Sequence, residues 1–276
     1  MAQQLWFITG ISSGLGKAMA ETFLAAGHFV IGTFRKPEQV TAFNEQHKEA
    51  AFSYQLDLTN PDQIQAVAQS VTDRFGRIDV LVNNAGFGFA GAIEEASDAE
   101  LRVVFETNFF GTVALTKAFL PLFRQQRSGH IIQLSSHSGM KAPAGFGVYS
   151  ASKFALEGIS EALAAELAPL GIKLTIVEPG PFRTDFAGAG FGQAENHIAD
   201  YDATAGAFRN RMVQVNGQQE GDPQKAAEAI LHITTIENPP LRLPLGKIAV
   251  GTLGAKIASV QQDVDTWRSV AEGATF

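Results

Sequence analysis

Tyr149 and Lys153 are the pair of residues in this sequence with the clearest capacity for acid–base chemistry. They lie four residues apart in a stretch with helical periodicity, so their side chains are predicted to share one helix face. A free tyrosine has a pKa of about 10, and lowering it to about 7 requires roughly 4 kcal/mol of preferential stabilisation of the phenolate. A neighbouring ammonium has the correct sign for this. The spacing alone also fits an ordinary solvated helix face.

A second polar group precedes this pair by thirteen residues. Ser135 and Ser136 follow an apolar run, residues 131–134, that is predicted to be a strand. Their side chains would project from the carboxyl edge of a parallel sheet, where open α/β sheets bind ligands. The Ser136 hydroxyl is predicted to donate to a substrate oxygen as charge develops there, or the two serines merely cap the strand. His137 has no spacing that pairs it with a nucleophile and is predicted to be loop surface.

Glycines mark the passage from the first predicted strand, residues 5–9, into a helical segment. The sequence there is Thr-Gly-Ile-Ser-Ser-Gly-Leu-Gly. Glycine permits a tight turn and close approach to a pyrophosphate, and a helix N-terminus supplies amide donors. A turn without a ligand is the alternative for this spacing taken alone. The residues predicted to bind the dinucleotide here are Gly10, Ser12, Ser13, Gly14, Leu15 and Gly16.

The residues after the second predicted strand bear on the choice of cofactor. A carboxylate at this place binds the adenosine ribose and repels a 2′-phosphate, whereas an arginine accommodates that phosphate. The sequence reads Thr-Phe-Arg-Lys, with Arg35 in the arginine position. Charge-assisted hydrogen bonds from Arg35 would be worth roughly 1.5–3 kcal/mol. NADP(H) is therefore favoured over NAD(H), unless Arg35 and Lys36 are only a solvated approach to a helix. Asp57 would contact the adenine or cap the following turn.

A parallel sheet is needed to bring these residues together. Apolar runs rich in β-branched and aromatic residues alternate with segments of helical periodicity, which is the pattern of βαβ units. Right-handed crossovers would place helices on both faces. The sequence therefore predicts an α/β, single-domain Rossmann fold with a doubly wound parallel sheet over residues 1–276. The predicted strands are 5–9, 29–33, 51–56, 80–82, 131–134 and 174–177, and the predicted helices are 14–26, 61–75, 101–126, 149–170 and 223–235.

Composition excludes several other classes of protein. The net charge of −7 argues against a nucleic-acid footprint, which needs a basic patch. The absence of cysteine excludes disulfides, thiolate nucleophiles and cysteine-ligated metals. The apolar run at the N-terminus lacks a basic flank and is too short for a signal peptide or a membrane span, so a cytoplasmic protein is expected.

These motifs together resemble the short-chain dehydrogenase/reductase family, in its 17β-hydroxysteroid and retinol dehydrogenase-like branch. The resemblance covers about residues 4–184. Besides the glycine turn, Ser136, Tyr149 and Lys153, it includes Asn-Asn-Ala-Gly at residues 83–86, Asn108 in a helix, and Pro-Gly-Pro-Phe-Arg-Thr at residues 179–184.

The resemblance implies hydride transfer between NAD(P)(H) and a carbonyl or secondary alcohol, without a metal. Tyr149 would be the acid and base, Lys153 would lower its pKa and bind the nicotinamide ribose, and Ser136 would orient the substrate oxygen. Asn108 would hold a water in a proton relay from the lysine. The resemblance also implies that Thr184 contacts the nicotinamide carboxamide. The remaining predicted cofactor contacts are Asp57, Leu58, Asn84, Ala85, Gly86, Pro179 and Gly180.

The later part of the chain bears on substrate and partners. Residues 185–221 lack a clean period and are predicted to form a substrate lid, where phenylalanines would line a pocket for a small apolar carbonyl or alcohol. Core packing explains any single phenylalanine equally well. Residues 239–276 form a C-terminal extension, in which 246–267 are predicted to be an extra helix or helices at the pocket edge. This departure from the family pattern puts a tetramer in doubt and leaves a homodimer or a monomer.

Two other functional classes fit parts of the pattern. A non-catalytic NADP(H)-binding sensor or interaction module would keep the fold without turnover, but the intact Ser136, Tyr149 and Lys153 argue against it. An epimerase or dehydratase also uses Tyr-x3-Lys, but the chain length and the Asn-Asn-Ala-Gly segment argue against that class. A net change in nicotinamide absorbance is expected of a dehydrogenase or reductase alone.

Overall fold

The computed structural model describes residues 2–188 and 191–276. Over these residues, seven parallel strands form one sheet, and two short strands form a separate parallel pair. The strands of the sheet are β1 Leu5–Ile8, β2 Phe29–Phe34, β3 Ala51–Gln55, β4 Val80–Asn83, β6 Gly129–Leu134, β7 Ile172–Pro179 and β9 Arg242–Leu245. The separate pair consists of β5 Phe89–Ala90 and β8 Gly192–Gln193.

Helices cover both faces of the sheet because side chains alternate along each strand. In β1, Trp6 packs into one hydrophobic cluster and Phe7 into another. The first cluster includes residues of α1 and α8, and the second includes residues of α3 and α5. This confirms the predicted doubly wound Rossmann fold. The helices are α1 Gly14–Ala25, α2 Pro37–Gln46, α3 Pro61–Phe75, α4 Asp98–Phe105, α5 Thr112–Gln126, α6 Gly147–Leu167, α7 Ala207–Val215, α8 Pro223–Thr234 and α9 Lys247–Glu272.

The strand order creates a crevice at the carboxyl edge of the sheet. The order is β3-β2-β1-β4-β6-β7-β9, so β1 is paired with β2 on one side and with β4 on the other. The chain therefore leaves β1 and β4 in opposite directions, and open α/β sheets bind their ligands at such a point. The glycine turn follows β1, and the Asn-Asn-Ala-Gly segment lies at the end of β4.

The helix predicted at 101–126 is interrupted in the structure. It begins earlier, as α4, and a π-helical turn at Glu106–Gly111 separates α4 from α5. The stretch Asp98–Gln126 is long enough to cross a membrane, and an 18-residue window within it has a mean hydropathy of 1.2, so it passes that test by length and composition alone. Phe119 and Phe123 on this stretch are fully buried in the second core cluster, as in a core helix of an α/β protein.

The C-terminal part differs most from the prediction. The strand β9 was not expected, because Pro240 and Pro244 argue against a central strand. It pairs with β7 at the end of the sheet, where proline is tolerated. Residues predicted to be helical from 246 form α9, a single 26-residue helix. In α9 the buried residues are Ala249 and Leu253, so its first turns pack on the domain and the rest is solvent-exposed.

Candidate active site

The glycine turn, residues 10–16, has the backbone geometry that requires glycine. Gly10 and Gly14 have φ values of 70° and 59°, in the left-handed region that side chains with a Cβ rarely adopt. A Cβ at Gly16 would lie 2.1 Å from the Gly10 carbonyl oxygen, so α1 packs directly against the turn. These contacts hold the first turn of α1 close to the end of β1.

A buried threonine and an asparagine fasten this turn to the segment after β4. The Thr9 hydroxyl accepts hydrogen bonds from the backbone N–H groups of Asn84 and Ala85, both at 2.9 Å. The Asn84 side-chain amide donates to the carbonyls of Thr9 at 2.8 Å and Gly10 at 3.0 Å. Thr9 was not selected from the sequence, although it stands in the quoted motif. Its role depends on a residue 75 positions later in the chain.

The N-terminus of α1 suits an anionic group. The Ser13 side chain makes no capping hydrogen bond within the described residues, whereas the side chain of Asn60 caps α3 and that of Asp222 caps α8. Ser12 and Ser13 are both exposed, and the first turn carries no acidic residue. Unused amide donors and the helix dipole favour a phosphate at this position. The residues present therefore fit the pyrophosphate of a dinucleotide.

The segment that follows β7 approaches the glycine turn from the other side. A Cβ at Gly14 would lie 3.5 Å from the Thr184 Cβ, which places Thr184 across the crevice. Thr184 caps a short 3-10 turn through the Phe186 N–H at 3.3 Å. Pro179 ends β7, and the Gly180 N–H donates to the Leu245 carbonyl at 2.9 Å. The C-terminal strand therefore helps to fix the position of this segment.

The residues predicted to read the adenosine end differ in their surroundings. Arg35 is exposed just after β2, where its guanidinium is accessible to a ligand. Asp57 Oδ1 accepts from the Thr59 N–H and hydroxyl, so this oxygen caps the turn, as the alternative interpretation anticipated. The Leu58 side chain belongs to the second core cluster, which leaves its backbone as the part available to a cofactor. Leu15 packs against the first cluster.

Tyr149 and Lys153 lie on one face of α6 and are both buried. The Lys153 Nζ lies 5.9 Å from the centre of the Tyr149 ring and donates to the Leu134 carbonyl at 2.8 Å. Burial lowers the pKa of Lys153 to about 8, although the charge of Glu157 opposes this shift. The lysine retains further N–H donors for other acceptors.

Burial raises the pKa of Tyr149 above its usual value, while a hydrogen-bonding interaction with Ser136 opposes the shift. The reason is that the phenol is 4% exposed and loses hydration. The prediction that Lys153 and a cationic nicotinamide together lower this pKa concerns the protein with its cofactor bound, and it stays a prediction. The protein alone holds Tyr149 as a protonated phenol at neutral pH.

Ser136 is buried beside the phenol at the carboxyl edge of β6. Its Oγ accepts from the Ser138 N–H at 3.0 Å, which leaves the hydroxyl proton free to be donated elsewhere. His137 was predicted to be loop surface, and this was wrong. It lies half-buried in a 3-10 turn, His137–Gly139, and burial lowers its pKa.

Asn108 is fully buried in the π-helical turn. Its side chain fixes Phe87 by accepting from the Phe87 N–H at 3.0 Å and donating to the Phe87 carbonyl at 2.9 Å. In an α-helix the Thr112 N–H would bond to the Asn108 carbonyl, but it donates to the Phe109 carbonyl instead. The Asn108 carbonyl therefore does not receive from Thr112 the bond that a regular α-helix would give it. A Cβ at Gly86 would lie 2.9 Å from Asn108 Oδ1 and 3.6 Å from Lys153 Nζ, so these three residues meet at one point.

Aromatic side chains cover Tyr149. Phe146 stacks on its ring with centroids 4.3 Å apart, and Phe186 meets it edge-on at 5.7 Å. Phe191 and Phe208 contact Phe146 in turn, at 5.9 and 4.9 Å. Three of these rings belong to residues 185–221, so the segment predicted to be a lid lies over the phenol. Its residues 189 and 190 lie outside the described residues.

Comparison with known proteins identifies the family. The family model for short chain dehydrogenases matches residues 4–194. The chain belongs to the short-chain dehydrogenase/reductase family. Membership makes it an oxidoreductase that binds a nicotinamide dinucleotide, and the prediction from the motifs is confirmed to this extent.

Individual members of the family resemble the chain over nearly its whole length. It is 40% identical to oxidoreductase BOA17 of Botryotinia fuckeliana over 97% of this chain and 98% of that protein. It is 38% identical to 3-ketodihydrosphingosine reductase of Bacteroides thetaiotaomicron over 94% and 93% of the two chains. A crystal structure of a short-chain dehydrogenase from Streptomyces avermitilis superposes with a TM-score of 0.93 and 44% identity, covering 100% of both chains. Other solved structures of this fold contain NADP or NAD.

Proposed function

We propose that this short-chain dehydrogenase/reductase prefers NADP(H) and transfers hydride between the nicotinamide and the carbonyl or secondary alcohol carbon of an apolar molecule. The observation that carries the proposal is the buried cluster of Ser136, Tyr149 and Lys153 at the carboxyl edge of the sheet, beneath aromatic side chains. A protonated phenol and a free hydroxyl proton converge there. Both are groups that a carbonyl oxygen requires as it gains negative charge.

The chain's own residues would share the work as follows. The bound nicotinamide supplies or accepts the hydride. Tyr149 gives its proton to the substrate oxygen during reduction, and Ser136 donates a hydrogen bond to the same oxygen. Lys153 binds the nicotinamide ribose and favours the phenolate that remains. The Asn108 carbonyl, which receives no bond from Thr112, would hold a water that returns a proton through the lysine.

An apolar substrate is supported by two independent observations. The side chains that cover Tyr149 are phenylalanines 146, 186 and 191, which exclude water and offer flat apolar contacts. In addition, one relative is named for a long-chain ketone, 3-ketodihydrosphingosine. The proposed substrate class is therefore an apolar ketone or aldehyde, or the corresponding alcohol.

The preference for NADP(H) is supported by Arg35. Its exposed guanidinium stands at the end of β2, and no carboxylate stands beside it in residues 33–36 to repel a 2′-phosphate. We expect Arg35→Ala to weaken NADPH binding by roughly tenfold or more and NADH binding much less, because about 1.5–3 kcal/mol of charge-assisted hydrogen bonding is lost with the phosphate alone. Fluorescence titrations of both cofactors measure this ratio. An unchanged ratio of the two dissociation constants would show that Arg35 does not bind the 2′-phosphate.

The decisive experiment is an absorbance screen at 340 nm with NADPH and NADH against long-chain ketones, steroids, retinoids, quinones and aryl aldehydes. Consumption of NADPH with an apolar carbonyl is the expected result. If no compound changes the absorbance at 340 nm although cofactor binding is measurable, the result would favour a non-catalytic binding module.

Tyr149→Phe tests the mechanism separately from the fold. Because it removes the transferable proton and little volume, we expect turnover to fall by at least ~10³-fold while NADPH binding stays within about threefold. Tyr54→Phe removes the same atom from β3, far from the crevice, and should leave turnover unchanged. Normal activity of Tyr149→Phe would show that Tyr149 does not transfer the proton.

A further inference from the structure

Four charged side chains lie together behind the catalytic helix. Glu157 stands one turn after Lys153 on α6, Glu178 is on β7 and Arg242 is on β9. The side chains of Glu157 and Glu178 are 5% and 0% exposed. Arg242 Nη1 contacts both carboxylates, and its Nη2 contacts Glu161, which is half-exposed. The mechanism described above uses none of the three glutamates or the arginine.

The two buried carboxylates of this cluster, Glu157 and Glu178, share the positive charge of Arg242, which the half-exposed Glu161 also contacts. Unpaired buried charge is costly. Lys153 is buried one turn before Glu157 on α6, so its ammonium is a second cation for the two buried carboxylates, while Glu161 remains in contact with solvent. The charge of Glu157 accordingly raises the pKa of Lys153, against the larger opposing effect of burial.

Glu157 is packed closely against the turn that follows β6. A Cβ at Gly139 would lie 2.6 Å from Ser135 Oγ and 3.1 Å from Glu157 Oε1, so a side chain there would displace one of these groups. The Ser135 hydroxyl favours the charged form of Glu157. The Glu157 carboxylate is thereby held one turn from Lys153, between the Ser135 turn and Arg242.

Resting on the proposed function, we propose that Glu157 is a positioning residue that keeps the Lys153 ammonium charged at and above neutral pH, and that Arg242 holds Glu157 in place. The strand β9 is thereby coupled to the active site, although it contributes no residue to the crevice. Arg242 is thus a second link between the C-terminal part of the chain and the site, besides the Leu245 carbonyl that holds Gly180.

The groups that face Lys153 and Glu157 support an effect of Glu157 on Lys153 above pH 7. Lys153 faces Tyr149 on its own helix, and from the other elements it faces Asn108 and the Leu134 carbonyl, none of which carries a charge. Glu157 faces Glu161 on α6, Glu178, Arg242, and the turn that carries Ser135 and His137. Burial keeps the His137 imidazole neutral by lowering its pKa.

The titration of Glu157 defines the pH window. Burial and the charge of Glu178 raise the pKa of Glu157 to about 7, against the effects of Ser135 and Arg242. Below that pH Glu157 gains a proton and is neutral, as a glutamine would be, so replacing it changes little there. The pKa of Lys153, about 8, includes the charge of Glu157. Above about pH 7 Glu157 is ionised, and this is the range in which Lys153 would otherwise lose its proton.

The test is the pH dependence of NADPH binding, followed by fluorescence between pH 6 and 9.5. We expect Glu157→Gln to bind NADPH like the wild type at pH 6. As the pH rises, the midpoint at which its affinity is lost should lie about one pH unit or more below that of the wild type. Its binding at pH 8 should therefore be about tenfold weaker. Glu157→Asp keeps the charge and should keep the wild-type midpoint. Glu161→Gln is the matched control, since it contacts the same arginine from the same helix but lies two turns from Lys153, and its curve should superpose on the wild type.

The possible results separate the two proposals. A folded Glu157→Gln variant with an unshifted curve would overturn the role of Glu157. A wild-type protein that binds neither NADPH nor NADH would overturn the proposed function and this role with it. If Glu157→Gln unfolds because Arg242 loses a partner, Glu157→Gln combined with Arg242→Met and Glu178→Gln removes the buried charges together, and the same shift is expected.

Discussion

The glycine turn and the 185–221 segment both belong to the candidate site, yet they are held in different ways. In the turn, the buried Thr9 and the Asn84 side chain bond to backbone groups at 2.8–3.0 Å. The 185–221 segment is held by the short pairing of β8 with β5 and by carboxylates of residues 94–100. Glu95 accepts from the Ile198 N–H at 3.0 Å and pairs with Arg209, and Glu100 accepts from the Glu195 N–H at 3.0 Å.

This difference matches two tasks. A pyrophosphate requires a rigid cradle, because amide donors that are already aligned need no ordering when the ligand binds. A substrate beneath the aromatic rings requires a cover that opens, and a cover fastened at a few points can open without unfolding the domain. We propose that the molecule combines a fixed cofactor end with a substrate end whose cover opens.

The largest expected effect comes from breaking the rigid side. Gly16→Ala would place a Cβ 2.1 Å from the Gly10 carbonyl oxygen and 2.5 Å from Asn84 Nδ2. Overpacking of this kind costs about 1–3 kcal/mol of unfolding free energy, and we expect NADPH affinity to fall at least ~100-fold because the turn must shift. Thermal unfolding and cofactor titration measure the two effects. Gly158→Ala on α6, where no described atom would lie within 4 Å of the new Cβ, is the control and should be neutral or stabilising. Unaltered cofactor affinity in Gly16→Ala would contradict the rigid cradle.

An effect that is smaller on cofactor binding and more local in the structure is expected from Arg209→Ala. Glu95 is nearly fully buried, so removing its partner leaves a buried carboxylate without its cation. Such a loss costs about 3–5 kcal/mol, which we expect to appear as faster hydrogen exchange in residues 192–209 with little change at the glycine turn. Arg211→Ala removes an exposed arginine from the same helix and serves as the control. Equal exchange in both variants would show that Arg209 does not fasten the segment.

The smallest effect is a pH dependence of the same attachment. Burial would raise the pKa of Glu95, but hydrogen bonds from the Ile198 and Ala92 N–H groups and the charge of Arg209 outweigh it and hold the pKa below its usual value of 4.5. A lowered pKa stabilises the folded form fully above the usual value, and this is lost as the pH falls through the lowered one. We expect protection of residues 192–209, corrected for intrinsic exchange, to be constant from pH 7 to about 5 and to fall below about 4.5. Constant protection down to pH 3 would contradict the attachment through Glu95.

The backbone geometry of the glycine turn could be predicted from the sequence, whereas the contacts of its residues with a cofactor stay predictions. Gly10, Gly14, Gly16, Asn84 and Tyr149 stand in short motifs whose spacing reflects local backbone geometry, and local geometry is encoded locally. The confirmed sheet follows from the same kind of information, because β-branched runs and helical periods alternate. The missed strand β9 shows the limit, since Pro240 and Pro244 conceal an edge strand whose place is set by β7.

The sequence by itself determined the family, the fold, and the set of groups that can move a proton and a hydride. Tertiary structure decided the protonation states and the couplings, because these depend on burial and on residues far apart in the chain. Burial raises the pKa of Tyr149. Arg242 meets Glu157 across 85 positions of sequence, and Arg209 meets Glu95 across 114. Electrostatic energies act through space, and no periodicity along the chain records them.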